Sequence, residues 1–253
     1  VYFRVLGGDN EYLASSVETS DVVNLYAGGL FGYIDDNANV LATTAFKERL
    51  QEVEIDVDNS ITVANYLFEG NYLVSSVQNG QTIEKTVDDV TYMYGKSIAG
   101  GLVGKGYIDL SGTVDNRSNL AIASPSSNLV VEAIQSKLTD TTENINDKEH
   151  AVSALIYGSV GLRNLTVSEV SNINVYTNNT TIQTIREIGS KAKGDLHTGG
   201  FIGYASGSNF ANIGLYFNNS DIVAKSLSYV AKNPKYDTNS AFCGGFAGEL
   251  LGN

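Results

Sequence analysis

The chain is predicted to be all-β and built as a parallel β-solenoid on three observations: a glycine phrase written four times, alternating segments that run into asparagine turns, and a composition rich in strand and turn formers. A β-sandwich with glycines in its turns is the alternative, because strands spaced about ten residues apart suit both architectures. One repeat-built region is expected over residues 1–253, with an insertion around 124–150.

The phrase is two glycines, two apolar residues and a third glycine. It stands at Gly28-Gly29-Leu30-Phe31-Gly32, Gly100-Gly101-Leu102-Val103-Gly104, Gly199-Gly200-Phe201-Ile202-Gly203 and Gly244-Gly245-Phe246-Ala247-Gly248. With 26 glycines in 253 residues, independent draws from the composition yield such a phrase about 0.05 times per chain. Chance is excluded. At a tight corner a Cβ collides with neighbouring backbone, so the glycines are expected to supply positive φ or absence of bulk. Intervals of 72, 99 and 45 residues separate the first glycines of the copies, and insertions are the expected cause of the irregularity.

The second recurring element follows each of the first three phrases. Glu54 to Val63, Ile108 to Asn116, Ile173 to Ile182 and Ile213 to Ile222 share alternating apolar residues, a turn rich in Asn or Asp, and in most copies a second short strand. Period-two alternation places Ile55 and Val57, or Ile173 and Val175, on one strand face. Asn and Asp then turn the chain because they tolerate left-handed backbone.

Two helices are expected as insertions. Ser126 to Leu138 sets Leu129, Val130, Ala133, Ile134 and Leu138 on one helical face behind a serine cap, followed by a polar loop from Thr139 to His150. Thr44 to Val53, with Phe46, Leu50 and Val53 at helical spacing, is the second candidate.

A 42% hydrophobic content permits a sizeable core, and only 2 prolines with no tryptophan and 15 tyrosines accompany abundant Asn, Ser, Thr and Val. The formal net charge of −12 argues against nucleic acid and anionic membranes as partners and reads as a solubility device. No 18-residue apolar run is present, so no membrane span is expected. The single cysteine, Cys243, has no partner for an internal disulfide and is expected to pack as a small buried apolar residue. The opening at Val1 and the close soon after the fourth phrase lead to the expectation of a piece of a longer chain.

Candidate chemistry is sparse. Asp35-Asp36-Asn37-Ala38-Asn39 and Asp56-Val57-Asp58-Asn59-Ser60 imitate the start of a calcium loop, but lack its glycine at the sixth place and glutamate at the twelfth, so they read as solvated turns. The carboxylate pairs Asp56/Asp58 and Asp88/Asp89 have no aromatic sugar platform beside them. His150 and His197 have no second ligand at metal spacing and read as surface or satisfied histidines. The phrase lacks the Gly-Lys-Ser/Thr of a phosphate loop. No catalytic, cofactor-binding or metal residue is therefore assigned, no cofactor is expected, and the twelve phrase glycines are the structural site. Sequons at Asn116, Asn164, Asn178, Asn179 and Asn218 number close to the roughly four expected by chance.

The phrases, above all Gly100 to Gly104 and the two followed by Tyr33 and Tyr204, resemble the GLUG motif of large bacterial surface proteins, found in adhesins and in the non-catalytic N-terminal regions of IgA-cleaving metallopeptidases. The resemblance covers about a quarter of the chain. It implies a structural motif, an extracellular, cell-surface location, and a non-enzymatic adhesive or scaffolding segment whose partners are a protein or glycan ligand or further copies in a fibre. A carbohydrate-active or peptidase-associated β-helix is the alternative. The irregular spacing and the helical insertion depart from the family pattern.

Overall fold

The structure, a computed structural model, describes residues 2–6, 24–35, 38, 51–57, 60–79, 84–87, 90–93, 96–136, 151–160, 168–186, 195–226 and 240–252. Strands make up the regular structure of these residues, and no helix occurs among them. They fall into five units. The first holds β1 (Tyr2–Leu6), β2 (Leu25–Gly28) and β3 (Phe31–Tyr33), followed by β4 (Gln51–Val57). The second holds β5 (Ser60–Phe68) and β6 (Asn71–Asn79), then the small hairpin of β7 (Glu84–Val87) and β8 (Val90–Met93), then β9 (Ser97–Gly100) and β10 (Val103–Lys105). The third runs through β11 (Ser118–Ala123), β12 (Asn128–Ser136), β13 (Ala151–Ala154) and β14 (Tyr157–Val160). The fourth consists of β15 (Ser168–Asn178), β16 (Thr180–Arg186), β17 (Leu196–Gly199) and β18 (Ile202–Ser206). The fifth repeats this with β19 (Ser208–Asn218), β20 (Asp221–Ser226), β21 (Ala241–Gly244) and β22 (Ala247–Leu251).

Apart from the β7–β8 hairpin, each strand pairs with its counterpart in the next unit, which produces four five-stranded sheets: β1-β6-β12-β16-β20, β2-β9-β13-β17-β21, β3-β10-β14-β18-β22 and β4-β5-β11-β15-β19. Pairing in them is parallel except between β4 and β5, where an antiparallel strand closes one end of the fourth sheet. Register is kept residue for residue: Leu25, Ser97, Ala151, Leu196 and Ala241 share one column, and Gly28, Gly100, Ala154, Gly199 and Gly244 another.

Alternation explains why these residues form strands. In β16 the residues Thr180, Ile182, Thr184 and Arg186 are buried while Thr181, Gln183 and Ile185 are half-buried. The main core gathers Leu120, Ile122, Leu129, Val131, Ile156, Ile173, Val175 and Ile182 with the phrase residues Leu102 and Phe201. Burying each such side chain fully contributes about 1.5–3 kcal/mol.

The expected helix at Ser126–Leu138 is overturned: β12 occupies Asn128–Ser136, in ladder with β6 on one edge and β16 on the other. Leu129, Val131, Ala133 and Gln135 form a buried period-two set that competes with the helical one, and pairing on both edges decides between them. Outward on the same strand, Glu132 accepts from Ser75 Oγ at 2.7 Å and Gln183 Nε2 at 3.0 Å, its register neighbours on either side. The expected insertion around 124–150 is thus a short turn at 124–127 followed by regular sheet over Asn128–Ser136, and residues 137–150 lie outside the described residues. For the candidate at Thr44–Val53, Gln51–Val53 belong to β4 and the remainder lies outside the described residues.

Candidate functional site: the glycine corners and asparagine turns

The phrase is the corner between two strands, two residues long. Hydrogen bonds run from corner to corner: Leu30 N–H donates to Leu102 O (2.9 Å), Leu102 N–H to Ile156 O (3.2 Å), Ile156 N–H to Phe201 O (3.2 Å) and Phe201 N–H to Phe246 O (2.8 Å). The ladder therefore continues through the turn, and backbone groups that a sharp corner usually strands are paired.

Each phrase glycine except Gly245 faces backbone or a neighbouring side chain. A Cβ on the first would stand 1.9 Å from Phe31 O at Gly28, 1.8 Å from Val103 O at Gly100 and 1.8 Å from Ile202 O at Gly199, because the chain folds back over its own Cα. On the second it would meet the next unit, 2.3 Å from Gly101 O at Gly29, 2.1 Å from Leu155 O at Gly101 and 1.9 Å from Gly245 O at Gly200. On the third it would strike the preceding unit, 2.5 Å from Gly32 O at Gly104 and 2.5 Å from Gly203 O at Gly248, or at Gly203 the Val152 Cγ1 at 2.3 Å. None of the twelve has positive φ. Of the two roles expected, absence of bulk is the one realised.

A fifth corner, missed in the sequence, is Ala154-Leu155-Ile156-Tyr157-Gly158. It occupies the register of the phrase, with Ala154 between Gly100 and Gly199 and Tyr157 between Val103 and Ile202. Gly158 keeps the third-glycine role: a Cβ there would lie 2.4 Å from Gly104 O and 2.6 Å from Ile98 Cγ2. The signal was present, since Gly158, Gly203 and Gly248 are spaced 45 residues apart. The 99-residue interval is therefore two units rather than one unit with an insertion.

The asparagine turns behave as expected. Asn179, between β15 and β16, has φ 46° and Asn219, between β19 and β20, has φ 47°. Their amides bond along the sheet, Asn219 Nδ2 donating to Asn179 Oδ1 at 2.7 Å and Asn218 Nδ2 to Asn178 Oδ1 at 2.8 Å. Within the strands Asn212 (φ 54°) donates likewise to Asn172 Oδ1 (φ 52°) at 3.1 Å. Three sequon asparagines, Asn178, Asn179 and Asn218, thus use their amides in the ladder. Asn116 lies in an exposed turn, and Asn164 lies outside the described residues.

Among the described residues, His, Cys, Asp and Glu side chains do not converge around the corners. Asp56 is exposed on β4, while Asp58, Asp88, Asp89 and His150 lie outside the described residues. Among the described residues no three His, Cys, Asp or Glu side chains are grouped to hold a metal ion. His197 is fully buried, face to face with Phe242 (5.1 Å, 5°) and edge-on to Tyr204 (5.5 Å), with Nδ1 3.8 Å from a Glu249 carboxylate oxygen. Arg186 is buried with Nε and Nη2 both donating to Gln135 Oε1 at 3.2 Å. Burial lowers its pKa to about 10, and the carboxylate of Asp195 opposes that shift. Tyr157 fills the core at a corner with its hydroxyl donating to Ile108 O, and burial raises its pKa well above the ordinary tyrosine value.

Cys243 departs from expectation: it is exposed. Its register column contains Ala27, Ala99, Ser153 and Thr198, all buried. The cysteine belongs to the last unit, where no neighbour covers it. No helix among the described residues is long and apolar enough to cross a membrane. No family model, curated protein or solved structure matches the chain.

Proposed function

We propose that this chain is a β-solenoid segment of a large extracellular surface protein, related to the GLUG-motif repeat regions and acting as a non-enzymatic scaffold or adhesive stalk. The observation that carries the reading is the in-register recurrence of the corner through five units, with neighbouring backbone standing where most phrase glycines would carry a side chain. Such a motif is spent on stacking and leaves recognition to exposed loops and faces. Parallel pairing in all four sheets supports the solenoid over a sandwich, whose sheets are antiparallel.

An antibody against the purified chain is expected to label intact cells that express the gene, and protease treatment of those cells to release its peptides. Confinement to the cytosolic fraction overturns the surface location. Incubation with polysaccharides and peptides is expected to give no turnover. Turnover that disappears in Asp56→Asn or Asp88→Asn instead establishes the carbohydrate-active or peptidase-associated reading.

A further inference from the structure

We infer that the outward face of the fourth sheet, around Arg117, binds a single carboxylated sugar at the end of a glycan. This deepens the adhesive reading proposed above and rests on it. Packing of Ile173 and Val175 into the main core turns their neighbours Asn174 and Tyr176 to the opposite side of β15. Register then sets Asn119, Asn174 and Gly214 in one column, and Ala121, Tyr176 and Tyr216 in another. This side is lateral to the stack, so units adjoining either end leave it open.

A departure from the regular coil puts a cation there. The fourth and fifth units turn on the left-handed Asn172 and Asn212, whereas the third unit has a loop at residues 112–117, with Gly112 N–H donating to Ser171 O at 3.1 Å. Thr113 and Asn116 close the loop through two backbone bonds of 2.9 and 3.2 Å, and Val114 is 84% exposed. The loop ends at Arg117, which is exposed. Its Nη1 donates to Asn174 Oδ1 at 3.0 Å and its Nη2 to Asn212 O at 2.9 Å, so the guanidinium is held across three units with most of its N–H donors unused. No carboxylate among the described residues pairs with it.

Neighbouring groups have hydrogen-bonding capacity to spare. Asn174 Nδ2 donates to Asn119 Oδ1 at 2.9 Å, which orients the Asn119 amide and leaves its N–H pair open. Tyr176 and Tyr216 stack at 4.7 Å and 13°. Burial raises the Tyr176 pKa, while its bond to Thr62 and the nearby Arg117 charge lower it. The Tyr216 hydroxyl has no partner among the described residues. At Gly214 a Cβ would stand 2.5 Å from Asn174 Oδ1 and 3.1 Å from Tyr216 Cε2, so the glycine leaves a notch between amide and ring.

Complementary charge selects the ligand. A held guanidinium with free donors matches one carboxylate in a charge-assisted pair, and the amide and phenol groups beside it match hydroxyls. The net charge of −12 repels a dense polyanion beyond the contact, so one acid group on a short saccharide is the fit.

The test measures binding of the chain by interferometry to immobilised sialyllactose and to a disaccharide ending in glucuronate. Lactose, the methyl ester of each acid and a glutamate dipeptide are the controls. Binding to one acid or both is expected, with the two surfaces telling a sialic from a uronic source, and the controls are expected to stay blank. Arg117→Gln should weaken binding at least tenfold, and Arg117→Lys, which keeps the charge without the planar fork, should restore only part. Tyr216→Phe removes a hydroxyl that the fold does not use. It should keep the melting temperature and weaken binding about three- to tenfold, the worth of one neutral hydrogen bond. Where Arg117→Gln melts well below the parent chain, Tyr216→Phe decides alone. Blank acid surfaces, equal binding to an ester or to the dipeptide, or full affinity in the deciding variant overturns the site. A chain that labels cells yet ignores both acids fails only here, and a cytosolic chain that binds one fails only the surface reading.

Discussion

The fourth and fifth units carry the same glycine phrase and live in different surroundings. Leu196 to Gly203 and Ala241 to Gly248 are 45 residues apart and share the phrase. Yet β17 is buried at every residue, and β21 alternates between exposed and half-buried. Phe201 is 0% exposed, with Phe246 stacked 5.5 Å from it and nearly parallel, while Phe246 is only partly covered. What separates them is the number of neighbours: the fourth unit is paired on both edges and the fifth on one. In such a chain a residue's contribution is set by the units on either side as much as by its own identity.

Substitutions at matched positions sharpen this comparison. The largest difference is expected at the second glycine: Gly200→Val pushes a side chain into the Gly245 carbonyl and should cost roughly 3 kcal/mol or more, against less than about 0.5 kcal/mol for Gly245→Val. Urea denaturation of the two variants measures it, and equal losses break the comparison. Next come the aromatic pair: Phe201→Ala should cost about 3–5 kcal/mol and Phe246→Ala about 1–2 kcal/mol, since only the first leaves a closed cavity. Thermal melts of both will show whether that order holds.

Smaller effects are expected at the turns. Asn179→Ala loses a left-handed residue and an amide bond and should cost about 1–2 kcal/mol, whereas Asn179→Gly, which keeps the backbone freedom, should recover part of it. The same pair at Asn219 should move stability less, because its amide has a neighbour on one side only. The last effect is one of pH. Tyr157 holds its proton more tightly folded than unfolded, since burial raises its pKa. Its contribution is therefore complete below the unfolded value near 10.0 and is lost as pH rises towards the folded value. Tyr157→Phe should cost about 1 kcal/mol at neutral pH through the lost bond to Ile108 O and should blunt the alkaline loss of stability. Chemical denaturation at pH 8 and pH 10.5 compares the two slopes.

Much of the corner was legible before any coordinates. Four glycine phrases, the alternation around Ile173 and Ile213, and the left-handed asparagines at 179 and 219 all depend on local sterics, which sequence states directly. The parts that were hidden depend on partners far along the chain. Leu129, Val130, Ala133 and Ile134 fit a helical face while Leu129, Val131 and Ala133 fit a strand face, and β6 and β16 on either side settle the matter. Ala154 and Leu155 disguise the middle corner because two of its three glycines are replaced, and only the register with Gly100 and Gly199 reveals it. Cys243 was expected to be buried on chemical grounds that hold for its column but not for its place at the end of it.

The sequence by itself determined the β character, the corner and its recurrence, because glycine, asparagine and alternating β-branched residues act within a few bonds of their own backbone. Tertiary structure decided which carbonyl of the next unit fills the empty space at Gly29, Gly101 and Gly200, that the middle unit belongs to the series, and which unit is paired on one edge only. Those are relations between residues 40 or more apart in the chain, and they exist only once the ladders have formed.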